Sequence, residues 1–392
     1  MGERTFSSAS FARTRASVAR EGGSATRRGE QRIREGLGLH KLVDPRGYGG
    51  IRRSISWLEP KGKQFVLLRG PAMLLETRFD TTGSMGDNVQ KAFDSLPRLH
   101  HLLKEVEHCP LKRYDLHLMT SIFGDVVDRY VLLRTQAEMD VQAMEQLRLM
   151  VPEGDRGYDD EDPAYGIFAG AYLTRADIVK LGLKSYDFTV TDARGRGSID
   201  DRERDDGHRS TADHNLIRIF GDDVYKWTKE NDNPVDKGQL PTTKKMVAEV
   251  LKIAHGFVIQ VGDKQGVTKF WTDLYGKERV VIIPGTELLP ETEAAIIGLT
   301  EGVLDLQNLG TFLREDAELS DTSAKAIERA VVNIPLRAQA KLPNFNKIPK
   351  AGDLFAKKGD LWPIGSDMAP KTNTSSAPPA KKPGGKKDEV WL

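Results

Sequence analysis

Cysteine occurs once in 392 residues, at Cys109. A single thiol leaves no internal disulfide framework and no cysteine-based zinc site, and it fits a reducing compartment and a cytoplasmic location. Long hydrophobic runs are also missing. Nothing approaches the roughly 20 apolar residues of a membrane-spanning helix, which argues against a transmembrane protein and against a membrane partner. No secretory-type apolar core follows the first residues, and Phe6 stands where a myristoylation signal needs Ser or Thr. There is no G-x-x-x-x-G-K-[ST] phosphate loop and no H-E-x-x-H zinc pair. The eight histidines lack metal spacing, since His100-His101 falls in a helical pattern and His208 and His214 in loops.

Net charge is nearly absent as well, +1 over the whole chain, but the total conceals three zones. Residues 1–53 carry +7, residues 340–392 carry +5, and the stretch between carries −11. An acidic body with two basic ends is a statement about partners rather than about fold.

What is present reads as one α/β domain with appendages. Residues 1–55, rich in Ser, Gly, Ala and Arg, are expected to be a mobile basic arm. Arg13, Arg15, Arg20, Arg27 and Arg28 are its candidate nucleic-acid contacts, against the alternatives of a solvated tail or a transit-peptide-like segment. From about residue 56 strand and helix signals alternate, which predicts a mostly parallel central sheet with helices on both faces. The readable strands are Gln64–Arg69, Met73–Phe79, Asp115–Phe123, Tyr186–Thr191, Gly256–Val261 and Arg279–Ile283. Helical spacing covers Asn88 to Val106, with a break or kink expected at Pro97, then Asp140 to Met150, Ala164 to Leu181, Lys245 to Ala254, Val267 to Tyr275 and Glu291 to Leu306. A charged, turn-rich stretch at about 194–240 reads as an insertion or long loop. Residues 313–340 add a helical extension, with N-caps at Ser320 to Thr322 before Ala324–Val332. The Lys/Pro/Gly-rich segment 341–392 is expected to be disordered, with Trp391-Leu392 either a docking tip or a solvated terminus.

The chemistry concentrates in Leu74-Leu75-Glu76-Thr77-Arg78-Phe79-Asp80-Thr81-Thr82-Gly83-Ser84-Met85-Gly86. A strand ends at Asp80, a turn through Gly83 presents Thr82 and Ser84, and a helix begins after Asp87. In an open α/β sheet ligands bind at the carboxyl ends of strands. Oxygen-bearing side chains at i, i+2 and i+4 in such a turn suit a hard cation, Mg²⁺ or Mn²⁺. A helix-capping turn is the plain structural alternative.

These residues resemble the metal-ion-dependent adhesion site of von Willebrand factor A domains, whose D-x-[ST]-x-S pattern matches Asp80-x-Thr82-x-Ser84. The resemblance spans roughly residues 56–310 and points to stand-alone bacterial or phage members, with Gly124-Asp125, Asp128 and LLRTQAEMD similar to their second strand and turn. It implies a Rossmann-like domain over 56–312 and a further metal ligand at Asp192, at the end of the fourth strand. The family's threonine after the third strand has no counterpart in Pro152–Pro163, which offers Asp155 or Asp159 instead, beside Asp160, Glu161 and Asp162. The resemblance further implies a protein-interaction module rather than an enzyme. A partner's acidic residue would complete the metal shell, and a MoxR-type AAA+ ATPase is an implied associate. The alternative is a metal-dependent hydrolase of phosphate esters or nucleic acid. Against it, Thr82 stands where a haloacid-dehalogenase-like phosphatase needs a second aspartate as general acid.

Overall fold

The computed structural model describes residues 8–56, 58–61, 64–67, 70–85, 87–153, 160–199, 202–203 and 209–341. At its centre lies β1 (Ala72–Asp80), buried along its whole length and paired in parallel with β2 (Asp115–Phe123) on one side and with β4 (Ser185–Thr191) on the other. Outward from β2 runs the short antiparallel β3 (Leu132–Arg134), and outward from β4 run β5 (Ala254–Val261) and β6 (Val280–Ile283), both parallel. The six strands therefore lie in the order 3-2-1-4-5-6, the arrangement of doubly wound, Rossmann-like α/β folds. The order reverses between β1 and β4.

Helices cover both faces. One face carries α3 (Asn88–Lys104), α4 (Gln142–Leu147), α10 (Leu289–Glu301) and α11 (Asp321–Ala330), and the other carries α5 (Ala164–Tyr172), α8 (Thr243–Ile253) and α9 (Gln265–Tyr275). Each face has its own hydrophobic core. Pro97 removes one backbone donor without dividing α3, whose Leu96 and Leu99 stay buried. The helix expected to run from Ala164 to Leu181 ends at Tyr172 instead. Its last carbonyls are taken up from outside: Asn231 Nδ2 donates to Tyr172 O at 3.0 Å, Asn233 Nδ2 to Ala171 O at 3.1 Å and Thr174 Oγ1 to Ala169 O at 3.0 Å.

Those asparagines belong to the stretch read as an insertion or loop. Residues 211–240 fold there into α6 (Ala212–Phe220) and α7 (Val224–Glu230), and Phe220 packs on Phe168 of α5 with ring centroids 5.6 Å apart.

The face of β1 toward α5 is polar although buried. Arg78 forms a bidentate pair with Asp187, and Glu76 takes Ser121 Oγ at 2.7 Å and Arg134 Nη2 at 3.2 Å. The neighbouring arginine holds Glu76 ionised against its own burial, and Asp187 in turn keeps Arg78 charged. Helix α5 can lie this close only because it is AYGIFAGAY. A Cβ on Gly166 would stand 2.7 Å from Arg78 Cδ, and one on Gly170 2.9 Å from Arg78 Nη1.

On the opposite face Glu293 of α10 accepts from Thr77 Oγ1 at 2.8 Å beside a cavity of about 30 Å³. Burial pushes its carboxyl up to about 8 from 4.5. Because the folded-state value is raised, its stabilisation is complete below about pH 4.5 and is lost as the pH climbs toward 8, at about 1.4 kcal/mol per pH unit at most. Glu293→Gln is expected to remove that slope from urea midpoints measured at pH 5 and pH 8. A slope identical to that of the parent would refute the assignment.

The basic arm is not a free tail. From Ser8 it folds into α1 (Ser8–Arg20) and α2 (Arg27–Arg34), with Phe11, Val18 and Ala25 buried in the α3/α4 core. Phe11, Thr14 and Val18 share one helical stripe, a pattern too sparse to show in composition. A charge cluster fastens it: Arg148, nearly inaccessible at 2% exposure, pairs with Glu21 at 2.6 Å and Glu145 at 3.0 Å, and Arg28 joins the same two carboxylates. Arg28 and Arg148 pull the Glu21 carboxyl down to about 2. The following residues close the sheet edge, for Arg134 N of β3 donates to Val43 O at 2.9 Å. Arg52 is buried among the carbonyls of Asp44, Gly47, Arg134 and Thr135, and burial lowers its pKa to about 9.

The extension after residue 313 holds α11, whose N-cap Ser320 Oγ accepts from Ser323 N at 3.2 Å. The expected disordered tail and the Trp391-Leu392 tip lie, from residue 342 on, outside the described residues. Among the described residues no helix is long and apolar enough to cross a membrane.

Candidate cation site at the sheet switch point

Asp80 sits at the carboxyl end of β1, beside the point where strand order reverses, which is where open α/β sheets bind ligands. It is fully buried. Its Oδ1 accepts from Thr82 N at 2.9 Å and Thr82 Oγ1 at 2.6 Å, and its Oδ2 accepts from Thr191 Oγ1 at 2.7 Å. Asn88 Nδ2 donates to Asp80 O at 2.6 Å and ties the start of α3 to the strand end. Burial pushes the Asp80 carboxyl up to about 6, against the three hydrogen bonds that favour its ionised form, and the charge of Asp192 adds to the rise.

Thr82 Oγ1 also lies 2.6 Å from Glu161 Oε1. A hydroxyl has one proton to donate, so with both carboxyls ionised it cannot satisfy the Asp80 and Glu161 oxygens together, and in the metal-free site the contact is met when one of the two carries a proton. Glu161 is 5% exposed, and its Oε2 has no hydrogen-bond partner among the described residues. Burial first, then the charges of Asp80, Asp125 and Asp162, push its carboxyl up to about 8. Two carboxyl groups thus meet at one hydroxyl.

Of the residues expected from the sequence, Asp80 and Thr82 lie in hydrogen-bond contact with each other. Ser84 falls in the 3₁₀ turn Gly83–Met85, with its side chain outside the described set, and Asp155 and Asp159 also lie outside the described residues. Asp192 is not the β4 group that touches Asp80. Thr191 does that, while the Asp192 carboxylate accepts from Lys264 Nζ at 2.8 Å toward solvent. The register explains the difference, since Val190 pairs with Phe79 and the next residue on each strand forms the contact. Sequence reasoning singled out the acidic loop but not Glu161 within it. Its position follows from a two-residue parallel pairing of Asp160-Glu161 with Arg194-Gly195, too short to leave a pattern.

Among the described residues no group of three or more His, Cys, Asp or Glu side chains is arranged to hold a metal. A cation here would use a mixed set, the carboxylates of Asp80 and Glu161 with the hydroxyls of Thr82 and Thr191. That donor chemistry and the orphaned Glu161 oxygen fit a hard divalent ion. Arg13, Arg15 and Arg20 lie exposed on α1 and Arg27 and Arg28 on α2, but Arg28 is engaged in the cluster with Glu21, and Arg15 lies 3.6 Å from Asp94.

No protein-family model matches the chain, and no curated protein matches it. Solved structures similar to it include the pilus adhesin SpaC from Lactobacillus rhamnosus GG in its open conformation, at 8% identity over 62% of this chain and 33% of the adhesin, with a TM-score of 0.29. A second form of that adhesin aligns at 9% identity over 63% and 34%, with a TM-score of 0.27. The chain spans about a third of the adhesin's length, and likeness of this degree carries no argument about fold or function.

Proposed function

We propose that this chain is a von Willebrand factor A-type module that binds another protein through a divalent cation, Mg²⁺ or Mn²⁺, held at the end of β1. The observation that carries the reading is the shared Thr82 hydroxyl: two buried carboxyl groups converge on it, and Glu161 Oε2 has no partner among the described residues. When bound, the ion would supply positive charge between the two carboxyl groups and a Lewis-acidic position open to a carboxylate. Asp80, Thr82, Glu161 and Thr191 are the protein's own oxygen donors, with Ser84 and Asp192 as flanking candidates. A partner's Asp or Glu would then dock at the switch point. A MoxR-type AAA+ ATPase is one such partner by family resemblance, and the exposed arginines of α1 and α2 offer a second, electrostatic contact to nucleic acid or another acidic surface. The basic ends and the single thiol suit an intracellular setting.

The hydrolase reading draws on one feature, a Glu161 carboxyl raised to about 8, which is the kind of group general-acid catalysis uses. Both readings meet the same test. Mn²⁺ binding by calorimetry and chelator-sensitive partner recovery are expected to be lost together in Asp80→Ala. Retention of both would end the cation-site reading, and phosphodiester or phosphomonoester turnover abolished by the same change would favour the hydrolase.

A further inference from the structure

Glu161 occupies an unfavourable place, its carboxyl sharing Thr82 Oγ1 with Asp80 and its Oε2 without a partner among the described residues, so something must hold it there. The segment around it is fixed on both sides by a single residue. Arg196 Nη2 donates to Asp125 Oδ2 at 3.1 Å, at the end of β2, and its Nε lies 3.0 Å from Asp162 Oδ1, next to Glu161 in the chain, an ion pair without hydrogen-bond geometry. The two aspartates are themselves locked. Asp162 Oδ2 accepts from Val126 N at 2.8 Å, Asp125 Oδ1 accepts from Val127 N at 3.1 Å, and Asp125 N donates to Asp128 Oδ2 at 2.9 Å. The arginine's own backbone is anchored to the start of α8, where Thr243 Oγ1 donates to Arg196 O at 2.7 Å and Thr243 N to Gly197 O at 2.9 Å. One residue earlier, Gly195 pairs with Glu161 in parallel register and approaches Pro163 so closely that a Cβ would stand 2.6 Å from its ring.

We propose that Arg196 is the positioning residue of the cation site: its guanidinium, bridging Asp125 and Asp162, holds the Glu161 carboxylate against Thr82 and Asp80. The inference rests on the cation reading above. It makes Arg196 a brace between the β2 loop, the acidic loop and the segment after β4, rather than a ligand. A planar fork can span two carboxylates in a way that a lysine ammonium cannot.

The alternative role for a cation so near the pocket is plain electrostatic competition, and the two roles predict opposite signs. If Arg196 only competed, Arg196→Gln would tighten Mn²⁺ binding. If it positions Glu161, Arg196→Gln weakens Mn²⁺ binding by about tenfold or more, Arg196→Lys restores it only in part, and Arg196→Gln adds nothing further in a Glu161→Gln background. Unchanged or tightened affinity overturns the proposal. Amide exchange of the full metal-free chain reads the brace independently. Residues 125–127 and 160–162 are expected to exchange on the order of tenfold faster in Arg196→Gln, while β1 keeps its protection and shows the fold intact. Unaltered exchange there overturns the positioning role, whereas a parent chain that takes up no Mn²⁺ overturns the cation reading and leaves the exchange result to decide the brace.

Discussion

Arg78→Ala is expected to destabilise the chain by about 3–5 kcal/mol, the usual cost of removing one partner from a buried ion pair. Arg78 is fully inaccessible and meets Asp187 through both guanidinium nitrogens, with Glu76 3.7 Å away. Its loss leaves Asp187 ionisable at the middle of the sheet with no replacement donor, and it opens a void beneath Gly166 and Gly170. Arg78→Lys is expected to recover only part of the loss, because a point ammonium cannot reproduce the bidentate contact. Urea midpoints at constant m-value measure the effect, with the exposed Arg34→Ala as the comparison expected to fall within about 0.5 kcal/mol of the parent. A loss below about 1 kcal/mol for Arg78→Ala would mean that the buried network contributes packing and little else.

Glu161→Gln is expected to move two measurements in opposite directions. In the metal-free chain the Glu161 carboxyl is raised, so its stabilising contribution is intact below about 4.5 and is lost as the pH rises toward 8. An amide has no charge to bury. The variant should therefore be more stable than the parent at pH 8, with little difference at pH 5, while its Mn²⁺ affinity falls by at least about tenfold. Gain of stability with loss of binding is the mark of a residue kept for function at a structural cost. Thermal melts without metal and calorimetric titrations with Mn²⁺ give the two values. A variant that loses stability at pH 8, or binds Mn²⁺ as well as the parent, would remove Glu161 from the site.

Strands that are buried on both faces were the most legible part of the sequence. β2 is legible from its first residue to its last, and β1, β4 and β5 within two residues, because a parallel sheet writes itself as short apolar runs, and the half-buried edge strand β6 is legible within one. The three-residue β3 had no such run and was missed. The buried polar network of β1 leaves no local signal, since pairing of Glu76 and Arg78 with Ser121, Arg134 and Asp187 depends on residues 45 to 109 positions away. For the site, Asp80 and Thr82 were visible as a local motif. Glu161, Thr191 and Arg196 were not, because each reaches the pocket through strand register or a loop bridge rather than through spacing along the chain.

The folded arm has a consequence for the order in which the molecule is made. Val43 waits for Arg134, Arg52 for Leu173 and Glu21 for Arg148, the last 127 residues further along. At about 5–20 residues per second, the segment that leaves the ribosome early spends roughly 5 to 25 seconds without the surface it will cover. A chain rich in Arg, Ser and Gly, with its few large apolar residues spread along one stripe, resists collapse and self-association through that interval. The composition that made these residues look permanently unstructured is the one suited to a segment that folds late.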